Sequence, residues 1–116
     1  MARQQEQRER RAAHNQALFR SVNERIAALN DLFDSYTPYG SWMCECFRTD
    51  CTEMVEMTLG EYEALRAHPD RFAVVANPSH VDPKVEEVVS RDERYWTVEK
   101  TGIAAVIASE LDERTA

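Results

Sequence analysis

The stretch Trp42-Met43-Cys44-Glu45-Cys46-Phe47-Arg48-Thr49-Asp50-Cys51 decides how this chain is built. It sets three cysteines within eight residues in the pattern C-x-C-x4-C. Thiolates bind zinc at about 2.3 Å, and a structural zinc site takes four ligands in a tetrahedron. One short turn can present several sulfurs at small ordering cost, so Cys44, Cys46 and Cys51 read as three ligands of one zinc site. Two rival readings stand beside this one. Free cysteines often simply pack in a core, and Cys46 with Cys51 could form a disulfide switch. The polar neighbours Glu45, Arg48, Thr49 and Asp50 do not resemble a core stretch. The absence of C-x-x-C counts against a thioredoxin-like role.

A count of three cysteines does not suit a secreted disulfide framework. Clustered cysteines in a cytosolic chain more often bind metal or do redox chemistry. The fourth ligand expected is His80, delivered into a loop by the turn Asn77-Pro78-Ser79. His68, at the end of a helix, is the second candidate, and His14, on the leading helix, the weakest. A catalytic zinc would need an open position and a general base. Glu45, between two cysteines, is expected to point away from the metal. The His-x-Glu and Cys-x-x-Cys pattern of zinc deaminases, the His-Glu-x-x-His motif and a Gly-rich phosphate loop are all missing.

Upstream of the cysteines, Asp34-Ser35-Tyr36-Thr37-Pro38-Tyr39-Gly40-Ser41 reads as a connection, with the compact domain beginning at Trp42. Before it, residues 3–34 hold no Gly or Pro and are rich in helix formers. Phe19, Val22, Ile26, Leu29 and Phe33 fall on one face, which would dock on the chain's own core or pair with a second copy. The first 15 or so residues lack an apolar face and would fray or extend freely. Arg and Glu interleave along this helix and are expected to lie on a solvated surface.

Downstream, residues 53–58 alternate as a strand. Thr58-x-x-Glu61 is a capping box that predicts a helix over 59–67, with Tyr62 and Leu65 inward and Glu63 paired to Arg66. Pro69 stops it. Residues 72–76 read as a second strand. Residues 85–100 allow two readings. Val85, Val88 and Val89 fit helical spacing with Asp82-Pro83 as a start, but two strands flanking the polar Arg91-Asp92-Glu93-Arg94 as a hairpin, closed by Glu99-Lys100 as a surface pair, are preferred. Thr101-Gly102 opens a last helix with Ile103, Val106, Ile107 and Leu111 on one face. Trp42, Tyr95 and Trp96 are expected as core and cover. The fold class predicted is α+β: an N-terminal helix over 1–35, then a zinc-tied domain over 42–112 of short antiparallel strands and two short helices.

The net charge of −7 is uneven: six Arg oppose three Glu in residues 1–29, and eight bases oppose eighteen acids thereafter. An acidic body repels phosphate backbones, which makes nucleic acid an unsuitable partner. No stretch approaches the ~18 apolar residues of a membrane span, and the polar N-terminus lacks a signal core, so the expected compartment is the cytoplasm.

Cys44-Glu45-Cys46, Cys51, the run Leu59-Gly60-Glu61-Tyr62-Glu63-Ala64-Leu65-Arg66, Phe72-Ala73-Val74, His80 and Tyr95-Trp96-Thr97-Val98-Glu99-Lys100 together resemble a family of small bacterial proteins with no settled activity. The resemblance covers about residues 22–112. That family often has Pro-Gly-His before the histidine, where this chain has Pro78-Ser79-His80. The resemblance implies the Cys/His grouping and no reaction. The function expected is a non-enzymatic zinc-binding adaptor or regulator, acting through a protein partner or through self-association of the helix. A thiol-based redox or metal sensor is the alternative, and a small metalloenzyme the least favoured.

Overall fold

The computed structural model describes residues 2–33, 40–48, 50–112 and 114, and within the first segment the side chains at positions 10 and 14–29. The architecture is α+β. A long helix α1 (Ala2–Phe33) leads into strands β1 (Gly40–Met43) and β2 (Met54–Met57), helix α2 (Leu59–Arg66), strand β3 (Arg71–Val74), a 3₁₀ turn at Pro78–His80, strands β4 (Glu86–Arg91) and β5 (Trp96–Lys100), and helix α3 (Gly102–Glu110). β1 and β2 form an antiparallel pair, with Trp42 opposite Val55. The other three strands form an antiparallel sheet in the order β3-β5-β4. No helix among the described residues is long and apolar enough to cross a membrane.

The predicted hairpin of β4 and β5 is present, with a register shift between Val88 and Ser90. Both bonds of the predicted capping box form: Glu61 N donates to Thr58 Oγ1 at 3.0 Å, and Thr58 N donates to Glu61 Oε1 at 2.9 Å. These satisfy two of the donors a helix start leaves open. Tyr62 and Leu65 point inward as expected. Tyr62 stacks on Trp42, with ring centroids 4.3 Å apart, over a core of Val55, Met57, Leu65, Ala73 and Ala27. Gly102 opens α3 at φ +57°, a conformation that favours glycine.

Five expectations are corrected. Gly40 and Ser41 belong to β1 rather than to a connection, because their backbone pairs with Met57 and Glu56. The core-facing side of α1 is partly polar. Gln16, Phe19, Arg20, Asn23 and Ala27 are buried and Ile26 packs against the core, so Phe19 and Ile26 of the expected stripe turn inward while Val22 and Leu29 are exposed; the Phe33 side chain lies outside the described residues. The reason is the socket: α1 lies against backbone groups and a carboxylate, which polar side chains complement. In α3, Ile107 packs inward as expected, but Ile103 and Val106 are exposed and the small Ala104 and Ala108 are buried in their place. Lys100 is a buried partner of Glu86, with Nζ to Oε1 at 2.6 Å, rather than half of a surface pair; Glu99 bonds Arg71 instead. Arg66 is buried and pairs with Glu24 on α1 and with Asp112, leaving Glu63 to Arg114.

Candidate metal centre

Residues 44–53 connect β1 to β2. Their ends are tied by Cys44 N donating to Glu53 O at 3.0 Å, and a tight turn is closed by Cys51 N donating to Arg48 O at 3.3 Å. Cys44 and Cys46 therefore leave the end of β1 together, and Cys51 returns just before β2. The segment also lies along the edge of the second sheet, where Glu45 N donates to Ala73 O at 2.8 Å.

The fourth group arrives from the far end of β3. Asn77 Oδ1 accepts from Ser79 N at 2.9 Å, and Pro78 starts the 3₁₀ turn with a preset φ. His80 N donates to Asn77 O at 3.1 Å, which fixes the turn that swings the imidazole inward.

Cys44, Cys46, Cys51 and His80 form one compact cluster in which each offers a donor atom within 4.8 Å of the others. His80 Nδ1 lies 3.5 Å from Cys44 Sγ and 3.8 Å from Cys51 Sγ. A tetrahedron with metal–sulfur bonds of about 2.3 Å and a metal–nitrogen bond of about 2.0 Å has edges of about 3.5–3.8 Å. The two sulfur–nitrogen distances match such edges, and the four residues together could hold a metal ion. All four are buried: Cys44 and Cys46 are 0% exposed, His80 4% and Cys51 8%.

Three neighbours shape the cluster. His80 Nε2 lies 2.7 Å from Glu53 Oε2. With its proton on Nε2, donated to that carboxylate, the ring leaves the Nδ1 lone pair facing the sulfurs. Carboxylate partners of this kind orient metal-binding histidines and fix their tautomer. Val75 N donates to Cys44 Sγ at 3.2 Å. The sulfurs also share charge. A hydrogen bond from Cys44, against the cost of burial, holds Cys46 down at about 5, with help from the Arg48 backbone N–H and from His80. The same bond to Cys46, together with burial, pushes Cys44 up. Burial pushes Cys51 up.

His68 and His14 are both exposed, on the last turn after α2 and on α1, and neither joins the cluster. Glu45 points away from the cysteines, as its place between them suggested. It is fully buried, and its carboxylate accepts from Arg20 Nε at 2.6 Å, Arg20 Nη2 at 3.1 Å, Asn23 Nδ2 at 3.0 Å and Ala73 N at 3.0 Å. Arg20 also donates to Arg71 O and lies 4.3 Å from the centroid of the Phe72 ring. Asn23 adds a two-sided contact to the end of β1: its Nδ2 donates to Met43 O at 2.9 Å and its Oδ1 accepts from Met43 N at 2.8 Å. One turn earlier on α1, Gln16 Nε2 shares Glu86 Oε1 with Lys100 Nζ, at 3.1 Å and 2.6 Å.

Neither Glu53 nor the Arg20–Glu45 pair was visible as a functional residue in the sequence. Glu53 stands two residues from a cysteine with no motif to mark it, and Arg20 lies 25 positions from its partner. Searches against protein-family models, characterised proteins and solved structures found nothing that matches this chain.

Proposed function

We propose that this chain is a small non-enzymatic zinc-binding module in which Cys44, Cys46, Cys51 and His80 hold one structural zinc ion, and which works through contacts with another protein chain. The convergence of three sulfurs and one imidazole nitrogen at tetrahedral spacing carries the reading. Three sulfurs select a soft or borderline ion such as zinc over magnesium or calcium, which prefer oxygen. Four protein ligands complete the tetrahedron, and their burial leaves no position for a reacting water, which favours a structural over a catalytic ion. The contact role rests on α1, where Leu18 and Leu29 are 65% and 57% exposed beside the partly exposed Val22. These three fall on one side of the helix, a suitable surface for a partner helix or for a second copy. A reducing cytoplasm would keep the sulfurs free to bind metal.

Metal analysis of protein purified without added zinc tests the reading and should give about one zinc per chain. His80→Ala should lower zinc retention strongly, whereas His14→Ala and His68→Ala should not. Failure to bind zinc when it is supplied, or equal effects of the three histidine changes, would overturn it.

A further inference from the structure

The loop that carries the cysteines is also the socket for α1. Asn15 Nδ2 donates to Phe47 O at 3.5 Å, Asn23 bonds both backbone groups of Met43, and Arg20 with Asn23 grips Glu45. Every one of these anchors ends on residues 43–47, and Glu45 is covalently fixed between Cys44 and Cys46. Further anchors of α1 lie elsewhere: Gln16 to Glu86 on β4, Arg20 to the carbonyl of Arg71 on β3, and Glu24 to Tyr62 and Arg66 on α2 and to Arg114.

We infer that metal occupancy of the Cys₃His cluster controls the docking of α1, through Glu45. This rests on the zinc reading above. Among the described residues, the loop's backbone–backbone bonds run from Cys44 to Glu53, Cys51 to Arg48 and Glu45 to Ala73. A metal that fixes the sulfurs of Cys44 and Cys46 fixes the peptide between them, and with it the direction of the Glu45 carboxylate. Once the metal leaves, closing the 44–53 loop again costs chain entropy with no ligand bonds to offset it. The four acceptor contacts of Glu45 then lose their alignment, and residues 15–23 of α1 lose their contacts to residues 43–47. The Glu24 end keeps its own anchors on α2, so the helix is released from one end. Coupling between two sites is reciprocal: whatever zinc contributes to docking, docking contributes to zinc affinity.

Reciprocity gives a test with a definite sign. Asn23 supplies no metal ligand and carries no charge, so Asn23→Ala should weaken zinc binding by about 5- to 150-fold, the usual range of such couplings. Arg20→Met should weaken it too. Coulomb's law alone predicts the opposite there, because removing a nearby positive charge favours a dication. Zinc affinity is measured by competition with a chromophoric chelator. Hydrogen exchange on the full chain, zinc-loaded and chelator-treated, reads the docking directly. Protection at residues 14–23 should fall on zinc removal, while β4 and β5 hold. One zinc per chain with unchanged protection of α1 would overturn the coupling alone. So would loss of protection throughout the chain, since zinc would then support the whole fold rather than a latch. So would unaltered zinc affinity in the Asn23→Ala protein. A chain that binds no zinc would remove the zinc reading, and the coupling with it.

Discussion

Arg20 is the position where a single change tests the packing most sharply. Its side chain is 6% exposed and that of Glu45 is 0% exposed, so the pair lies out of water. Replacing Arg20 with Met keeps the length and apolar stem but strands a carboxylate in the interior. Among the described residues, that carboxylate then retains Asn23 Nδ2 and Ala73 N as donors. Breaking a buried ion pair from one side costs about 3–5 kcal/mol, because the remaining charge is uncompensated. A domain of this size is stable by about 5–15 kcal/mol in total, so the loss is a large fraction of the whole. It corresponds to a fall in Tm of roughly 10–25 °C. The assay is urea unfolding at pH 7 with zinc kept in excess, so that the change reads the ion pair rather than metal loss. The double variant Arg20→Met/Glu45→Gln removes both charges and leaves an amide oxygen for the Ala73 N–H. Its cost should fall to about 1–2 kcal/mol, the size of imperfectly replaced hydrogen bonds. A loss below about 1 kcal/mol for Arg20→Met alone would refute the reasoning. A double variant no more stable than the single one would also refute it, since the stranded carboxylate could not then be the cause.

Glu53→Gln should lower zinc affinity by about 10- to 100-fold with little change in zinc-saturated stability, because the carboxylate orients His80 without binding the ion; unchanged affinity in a chelator competition would remove that role. Thr58→Ala should destabilise by about 1 kcal/mol in urea unfolding, since the side-chain acceptor of the α2 capping box is lost; a neutral result would show the box to be dispensable. Acid should weaken the fold in a defined window. Burial opposes ionisation of Glu24, but hydrogen bonds from Arg114, Arg66 and Tyr62 hold it down at about 2. The Arg94 hydrogen bond does the same for Glu61. An unfolded glutamate titrates near ~4.3, so the unfolded chain takes up more protons between about pH 4.5 and 2, and stability falls as pH drops through that window. Glu24→Gln should flatten this slope relative to the parent protein, and an identical slope would show that Glu24 contributes nothing to it.

Local signals carried far in this sequence. C-x-C-x4-C and a loop histidine after Pro78 name donor types and turn chemistry, and these hold whatever the rest of the fold does. Thr58 and Glu61 cap a helix through atoms three residues apart. Alternation of valines and aromatics around a polar turn yields the β4–β5 hairpin, because strand pairing there is local in the chain. What the sequence could not determine is the docking of α1. Apolar periodicity selected Phe19, Val22, Ile26, Leu29 and Phe33; Phe19 and Ile26 do turn inward, but beside them so do Gln16, Arg20 and Asn23, while Val22 and Leu29 face out. A periodicity argument assumes that the surface opposite is apolar. Here the opposite surface is the backbone of Met43 and the carboxylate of Glu45, and only tertiary structure brings them to the helix. The same reason hid Lys100 and Arg66, whose burial depends on acids 14 and 42 positions away. The three cysteines could be recognised from spacing alone. That the residue between two of them grips the N-terminal helix became clear only once β1, β3 and α1 had been placed side by side.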